Sequence, residues 1–169
     1  MISRIITTTL FALFLTTSAW AGIQPGTFTL SPMFGLHIFE GDQNFNNNAS
    51  MLALGVGYNL TERAALEAVY TRTFAKGDAP TDPDAKVHTY RLDALYHFMP
   101  EEVLVPYLAV GLGEIDTNPD SGKSREHLLA NAGAGIKLFL NEMVAFRADV
   151  RYLLDFPKPE NNLLYSTGL

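Results

Sequence analysis

From Gly22 to Leu169 the apolar residues recur at every second position, not at every third or fourth. Phe28, Leu30, Phe34, Leu36 and Ile38 share one parity, against Thr29, Ser31, Met33, Gly35 and His37. Leu52, Leu54, Val56 and Tyr58 alternate in the same way with Ala53, Gly55 and Gly57. The pattern returns in Ala64 to Phe74, His88 to Phe98, Leu104 to Gly113, Leu128 to Leu140, Ala145 to Leu153 and Leu163 to Leu169. A period of two puts successive side chains on opposite faces of a sheet. No stretch of helical period competes with it. The spacing therefore predicts an all-β chain of eight antiparallel strands in up-and-down order. Strands of about 9–11 residues suit a bilayer when tilted.

The predicted connections alternate in length. Leu60 to Arg63, Met99 to Glu102 and Asn141 to Val144 are short. Glu40 to Ala49, Ala75 to Val87, Glu114 to His127 and Asp155 to Asn162 are long and rich in Asn, Asp, Pro, Gly and Lys. Alternate connections of a meander lie at the same end, so short turns gather at one end and long loops at the other. Outer-membrane barrels have this asymmetry. An odd number of connections also leaves both chain ends on the short-turn side.

Residues 1–21 read as a cleaved secretory signal peptide. Arg4 supplies the positive start, Ile5 to Thr17 the apolar stretch, and Ala19-Trp20-Ala21 the small-x-small cleavage site. Beyond it the longest apolar run, Val103 to Gly113, is interrupted by Pro106 and is too short to span a bilayer as a helix. Residues 22–169 form one barrel domain in this reading. The absence of cysteine excludes disulfide scaffolds, thiolate metal sites and cysteine nucleophiles. Twelve basic against eighteen acidic residues, a net charge of −6, leave no basic stripe for nucleic acid. A mean hydropathy of +0.07 resembles that of a soluble protein. That average merely mixes two faces of opposite character.

Alternation alone does not distinguish a membrane barrel from a soluble barrel turned inside out. Three features decide for the membrane. The face carrying Leu, Val, Phe and Tyr is nearly free of charge along the strands. Glycine collects on the other face, at Gly55, Gly57, Gly111, Gly113, Gly133 and Gly135. There it weakens the strands and is useful only where space is short. Aromatic residues of the apolar face lie near strand ends, Phe28, Tyr58, Phe98 and Phe146 on the short-turn side and Phe74, Tyr90 and Tyr152 on the other. Two aromatic girdles match two membrane interfaces.

With these features the chain resembles the amino-terminal barrel of OmpA-like outer-membrane proteins. The resemblance is carried by GTFTLSPMFG (Gly26 to Gly35), VPYLAVGLG (Val105 to Gly113), NAGAGIKL (Asn131 to Leu138) and FRADVRY (Phe146 to Tyr152). It implies an eight-stranded transmembrane barrel in the outer membrane of a Gram-negative bacterium, held among outer-membrane lipid and lipopolysaccharide. It also implies a carboxy-terminal domain that binds peptidoglycan, which is missing from this sequence, and a terminal aromatic that Leu169 does not supply. The last strand is accordingly expected to be truncated. An eight-stranded barrel closes as a monomer.

The polar face holds the candidate functional residues: Glu67, Arg91, Asp93, Lys137, Arg147, Asp149 and Arg151. Four positive and three negative groups in one lumen nearly cancel. Buried charges persist only when paired. The expected arrangement is an internal salt-bridge network that either plugs the barrel or gates it. As a plug it makes the protein a structural barrel that supports envelope integrity. As a gate it makes a low-conductance porin for small solutes or ions.

Other chemistry is weakly supported. His37 and His97 face the lumen by parity, and His88 and His127 begin strands, so no metal site is expected. No cofactor motif is present. Ser124 with His127 is the nearest approach to a nucleophile and base, and nothing in their spacing aligns them, so the chain is not read as an enzyme. Asp78, Asp82, Asp84, Asp116 and Asp120 serve loop solubility as readily as binding of divalent cations. Pro106 is tolerable near a strand start. Pro32 falls mid-strand, where a bulge is expected.

Overall fold

The computed structural model describes residues 22–39, 48–75, 85–119, 125–156 and 161–169. Eight strands run in chain order: β1 (Phe28–Phe39), β2 (Asn48–Asn59), β3 (Ala64–Ala75), β4 (Ala85–His97), β5 (Leu104–Pro119), β6 (Arg125–Phe139), β7 (Ala145–Phe156) and β8 (Asn161–Gly168). Each pairs antiparallel with the next, and β8 pairs with β1 to close the barrel. Phe28 pairs with Tyr58, and the register continues through Leu66, Ala94, Val110, Ala132, Tyr152 and Leu163. Leu163 pairs with Ile38, so one circuit returns ten residues farther along β1. This stagger requires tilted strands, at about 35–45° in barrels of this kind.

The two faces of the predicted alternation separate as inside and outside. On β2 the exposure alternates at nearly every residue, with Leu52, Leu54, Val56 and Tyr58 outward and Met51, Gly55 and Gly57 inward. Leu112 is 71% exposed and Leu92 60% on an outer surface that is almost wholly apolar. Inside, Arg151 is 1% exposed and Asp93 0%. The aromatics of the short-turn side pack in pairs, with Phe28 and Tyr58 ring centroids 4.9 Å apart and Tyr96 and Phe98 at 5.1 Å. On the other side Tyr90 packs beside Tyr70 at 5.2 Å.

Polar side chains stabilise the short turns. The Thr61 hydroxyl accepts from Ala64 N–H at 2.9 Å. The Asn141 side chain accepts from the N–H groups of Met143 and Val144, both at 2.8 Å. Both are local side-chain turns of the kind Thr and Asn favour. Residues 22–27 lie against the same end: Ile23 N–H donates to Pro100 O at 2.9 Å, and Gly26 N–H to Asn59 O at 2.7 Å.

Two expectations need correction. The stretch Glu114 to His127 is not a loop throughout, because β5 runs on to Pro119 and β6 starts at Arg125, with Ile115 paired to His127 and Thr117 to Arg125. Backbone pairing needs no apolar side chains, so the hairpin extends past the apolar belt. The other long loops shorten at their ends for the same reason: β2 begins at Asn48 and β4 at Ala85. Second, no bulge interrupts β1 at Pro32, where the register against β2 is continuous. Pro32 O accepts from Leu169 N–H at 3.2 Å, so the proline nitrogen also faces β8, beyond the first paired residue, Met33. The missing N–H thus falls at the margin of the β1–β8 ladder, and the β1–β2 ladder is left intact. The expected signal peptide, 1–21, and the acidic residues Asp78, Asp82, Asp84 and Asp120 lie outside the described residues.

An outward cation near mid-belt tests this assignment of faces. Leu92→Arg is expected to lose about 2–4 kcal/mol of stability in lipid, whereas Phe28→Arg at the strand edge loses about 0–1 kcal/mol. Urea unfolding in phospholipid vesicles measures both, and equal losses contradict the membrane belt.

Candidate functional site in the barrel interior

All seven charged residues of the polar face point into the barrel and are buried, from β3, β4, β6 and β7. They divide into three groups. In the largest, Arg147 forks onto Glu67 with two hydrogen bonds, Nη1 to Oε1 at 2.6 Å and Nη2 to Oε2 at 3.0 Å. Arg147 Nη2 also reaches Asp149 Oδ2 at 3.1 Å. Arg151 forks onto Asp149 from the other side, Nε to Oδ1 at 2.8 Å and Nη2 to Oδ2 at 2.9 Å. Two carboxylates are thus bracketed by two guanidinium groups, the strongest geometry available to such pairs.

The second group is Arg91, Asp93 and Asn131. Asn131 Nδ2 donates to Asp93 Oδ1 at 2.8 Å, while Arg91 Nε stands 3.7 Å from Asp93 Oδ2. That ion pair is beyond hydrogen-bond distance. The third is Lys137, whose Nζ lies 3.1 Å from His97 Nε2.

Sequence reasoning missed the residue at the centre. The Tyr107 hydroxyl donates to Asp149 and accepts from Arg147 Nε at 2.8 Å. Its ring has Arg147 at 5.2 Å, Lys137 at 5.6 Å and Arg151 at 5.9 Å from the centroid, within range of cation–π attraction. Tyr107 shares the inward parity of Ala109, Gly111 and Gly113, so the signal was present. An aromatic on the polar face was overlooked because aromatics were counted on the lipid face.

Glycines make room for these groups. A Cβ at Gly55 would stand 2.9 Å from Glu67 Oε1, and one at Gly133 would stand 2.7 Å from Arg151 Cδ. At Gly111 it would strike Asp93 and Asn131, and at Gly135 the Tyr107 hydroxyl. The glycine and charge patterns are one feature, since large polar side chains on one strand need bare backbone on the next.

The remaining histidines sit at the loop end. His88 Nδ1 meets the Tyr70 hydroxyl at 2.8 Å, and His127 Nδ1 lies 3.1 Å from Asp155 Oδ2. His127, weighed as a base for Ser124, thus pairs with a carboxylate, and Ser124 lies outside the described residues. Among the described residues no three His, Asp or Glu side chains converge as metal ligands.

Breaking a buried pair on one side costs about 3–5 kcal/mol, because the partner charge is left stranded. Arg147→Ala is therefore expected to lose about 3–5 kcal/mol, and Glu67→Ala with Arg147→Ala distinctly less than the two single losses combined. Equilibrium unfolding in detergent micelles supplies the cycle. Strict additivity would show that the pair is not coupled.

Comparison with known proteins follows the same lines. Residues 7–168 match the family described as outer membrane protein beta-barrel domain. The chain is 29% identical over 134 residues to the outer membrane porin F of Pseudomonas aeruginosa, a match that covers 76% of this chain and 38% of that protein's length. Neisserial surface protein A superimposes with a TM-score of 0.71 at 17% identity, over 86% of this chain and 97% of that one. The N-terminal barrel domain of Pseudomonas aeruginosa OprF gives 0.60 at 23%, covering 86% and 98%. OprG of the same organism gives 0.66 at 14%, covering 88% and 95%.

Proposed function

The chain belongs to the outer membrane protein beta-barrel domain family, and from that membership we propose that it is a structural barrel of the Gram-negative outer membrane whose lumen is closed. Export depends on the signal peptide 1–21, and the folded monomer is held among outer-membrane lipid and lipopolysaccharide. The reading is supported by one observation above others: bracketed Arg–carboxylate pairs fill an interior that eight strands leave just wide enough for side chains. Such a lumen braces the strands from within and supports envelope integrity. The match to porin F spans 38% of that relative. Joined to a domain that binds peptidoglycan, such a barrel would act as an envelope tether. No catalytic role is part of this proposal.

A second reading has its own support. The relative from Pseudomonas aeruginosa is named a porin, and the 3.7 Å separation of Arg91 and Asp93 leaves one pair loose. In a low-conductance porin, Arg91, Asp93, Lys137, Arg147 and Asp149 would line the path.

Planar-bilayer recording separates the two. The folded barrel, identified by altered gel migration before and after boiling, is expected to give no steady unitary conductance. A steady conductance whose size shifts in Arg147→Ala would sink the closed-lumen proposal in favour of the porin.

A further inference from the structure

The inward face changes character toward the long loops. On β7 the inward residue after Arg151 is Leu153; on β6, Asn131 is followed by Leu129. On β4, Arg91 gives way to Thr89 and then Val87, and on β5 Gly113 gives way to Ile115. With Met51 of β2 and Leu164 of β8 these form one contiguous group of buried apolar side chains, which also takes in Ala49 and Ala75. Six of the eight strands supply a large apolar group to it. All lie inside the barrel, on the parity otherwise given to polar residues and glycine.

We propose that the barrier to ions in this barrel is an apolar septum near the long-loop end, formed by Met51, Val87, Ile115, Leu129, Leu153 and Leu164, and not the ion-pair layer beneath it. The proposal rests on the closed-lumen reading and says which residues close it. An apolar constriction excludes ions by shedding water, and Leu, Ile, Val and Met side chains cannot replace an ion's hydration shell. The septum is two inward positions deep on β2, at Ala49 and Met51, which is about 6–7 Å at the rise of a strand.

The charged layer offers the opposite environment. Its carboxylates, guanidinium groups and hydroxyls can each hydrogen-bond an ion or water. Among the described residues, Thr71 Oγ1, Arg91 Nη1 and Arg151 Nη1 make no hydrogen bond to another protein group. A layer of this kind accommodates an ion or water more easily than leucine does. Polar groups do enter the septum's level: His37 Nδ1 and Thr73 Oγ1 lie 3.1 Å apart, and the buried Asn162 and Asp155, the latter 3.1 Å from His127 Nδ1, stand opposite Leu153 and Leu129 in the ladder.

The experiment records planar-bilayer conductance from four full-length proteins, each first shown to be folded by its heat-dependent gel migration. These are the wild type, Leu153→Ser with Leu164→Ser, the milder Val87→Thr with Ile115→Thr, and the network variant Glu67→Gln with Arg147→Met. The threonine pair nearly keeps side-chain shape and strand propensity, so a folded septum variant is secured if the serine pair fails to fold. Expected are a silent wild type, steady unitary steps from every folded septum variant, and silence from the network variant. Silent septum variants overturn the proposal, and so does conductance from the network variant when the wild type is silent. A conducting wild type instead overturns the closed-lumen reading itself, so the two failures are told apart.

Discussion

In a bilayer no water satisfies an exposed backbone N–H or C=O, so a chain that crosses as strands must pair every strand on both sides. The β1–β8 pairing closes the ring in this way from Met33 to Phe39, and the rest of the structure depends on it. Closing eight strands with a stagger of ten residues tilts them and sets a narrow interior. Each strand then has one face toward lipid and one toward a confined space. The outward face must be apolar along its whole length. The inward face must fit its side chains into that narrow interior without crowding. Arginine, glycine and leucine inside this barrel are three answers to that single demand, at different heights.

The arrangement of charges shows how the demand is met without stranding an ion. Removing a guanidinium or carboxylate group from water is costly, and only close, bidentate pairing offsets it. The sequence places Arg147, Asp149 and Arg151 two apart on one strand, which alone would stack charges along a line. Glu67, contributed by β3, reaches Arg147 from another part of the wall, and Tyr107 from β5 joins Arg147 to Asp149. The network therefore ties together strands that are not neighbours in the sheet. Backbone pairing links each strand only to the next, so these side chains add the cross-bracing that the ladder lacks.

Strand number, order and facing were legible in the sequence because a period of two maps directly onto inside and outside. Position along the barrel was not, because parity carries no height. Leu129, Leu153 and Leu164 are an example: they have inward parity, yet their apolar character matched neither the charged lumen nor the lipid belt, so they attracted no reading. Tyr107 illustrates a related limit, since its inward parity says that it enters the lumen but not that it meets Arg147 and Asp149 there. Strand ends were also hidden, as with β5, where Glu114 to Pro119 lacks apolar alternation but keeps its ladder. Pro32 shows the same limit from the other side. Its missing donor matters only if a partner stands opposite, and which neighbour a nitrogen faces depends on register.

Height along the barrel is where structure bears on function. In the closed lumen proposed above, two layers would resist an ion by different physics. The charged layer offers an ion new partners, and its rigidity comes from pairs that lose much when broken singly. The packed Leu, Ile, Val and Met side chains of the other layer offer an ion no partner, and their resistance would not depend on any one contact. A barrel built only of the first would be stiff but permeable to a species able to exchange partners with Arg91 or Arg147. One built only of the second would lack directional bonds between opposite walls. Stacking the two separates the tasks: ion pairs near the middle hold the wall in shape, and packed Leu, Ile and Val toward the loops keep the enclosed polar groups apart from the outside.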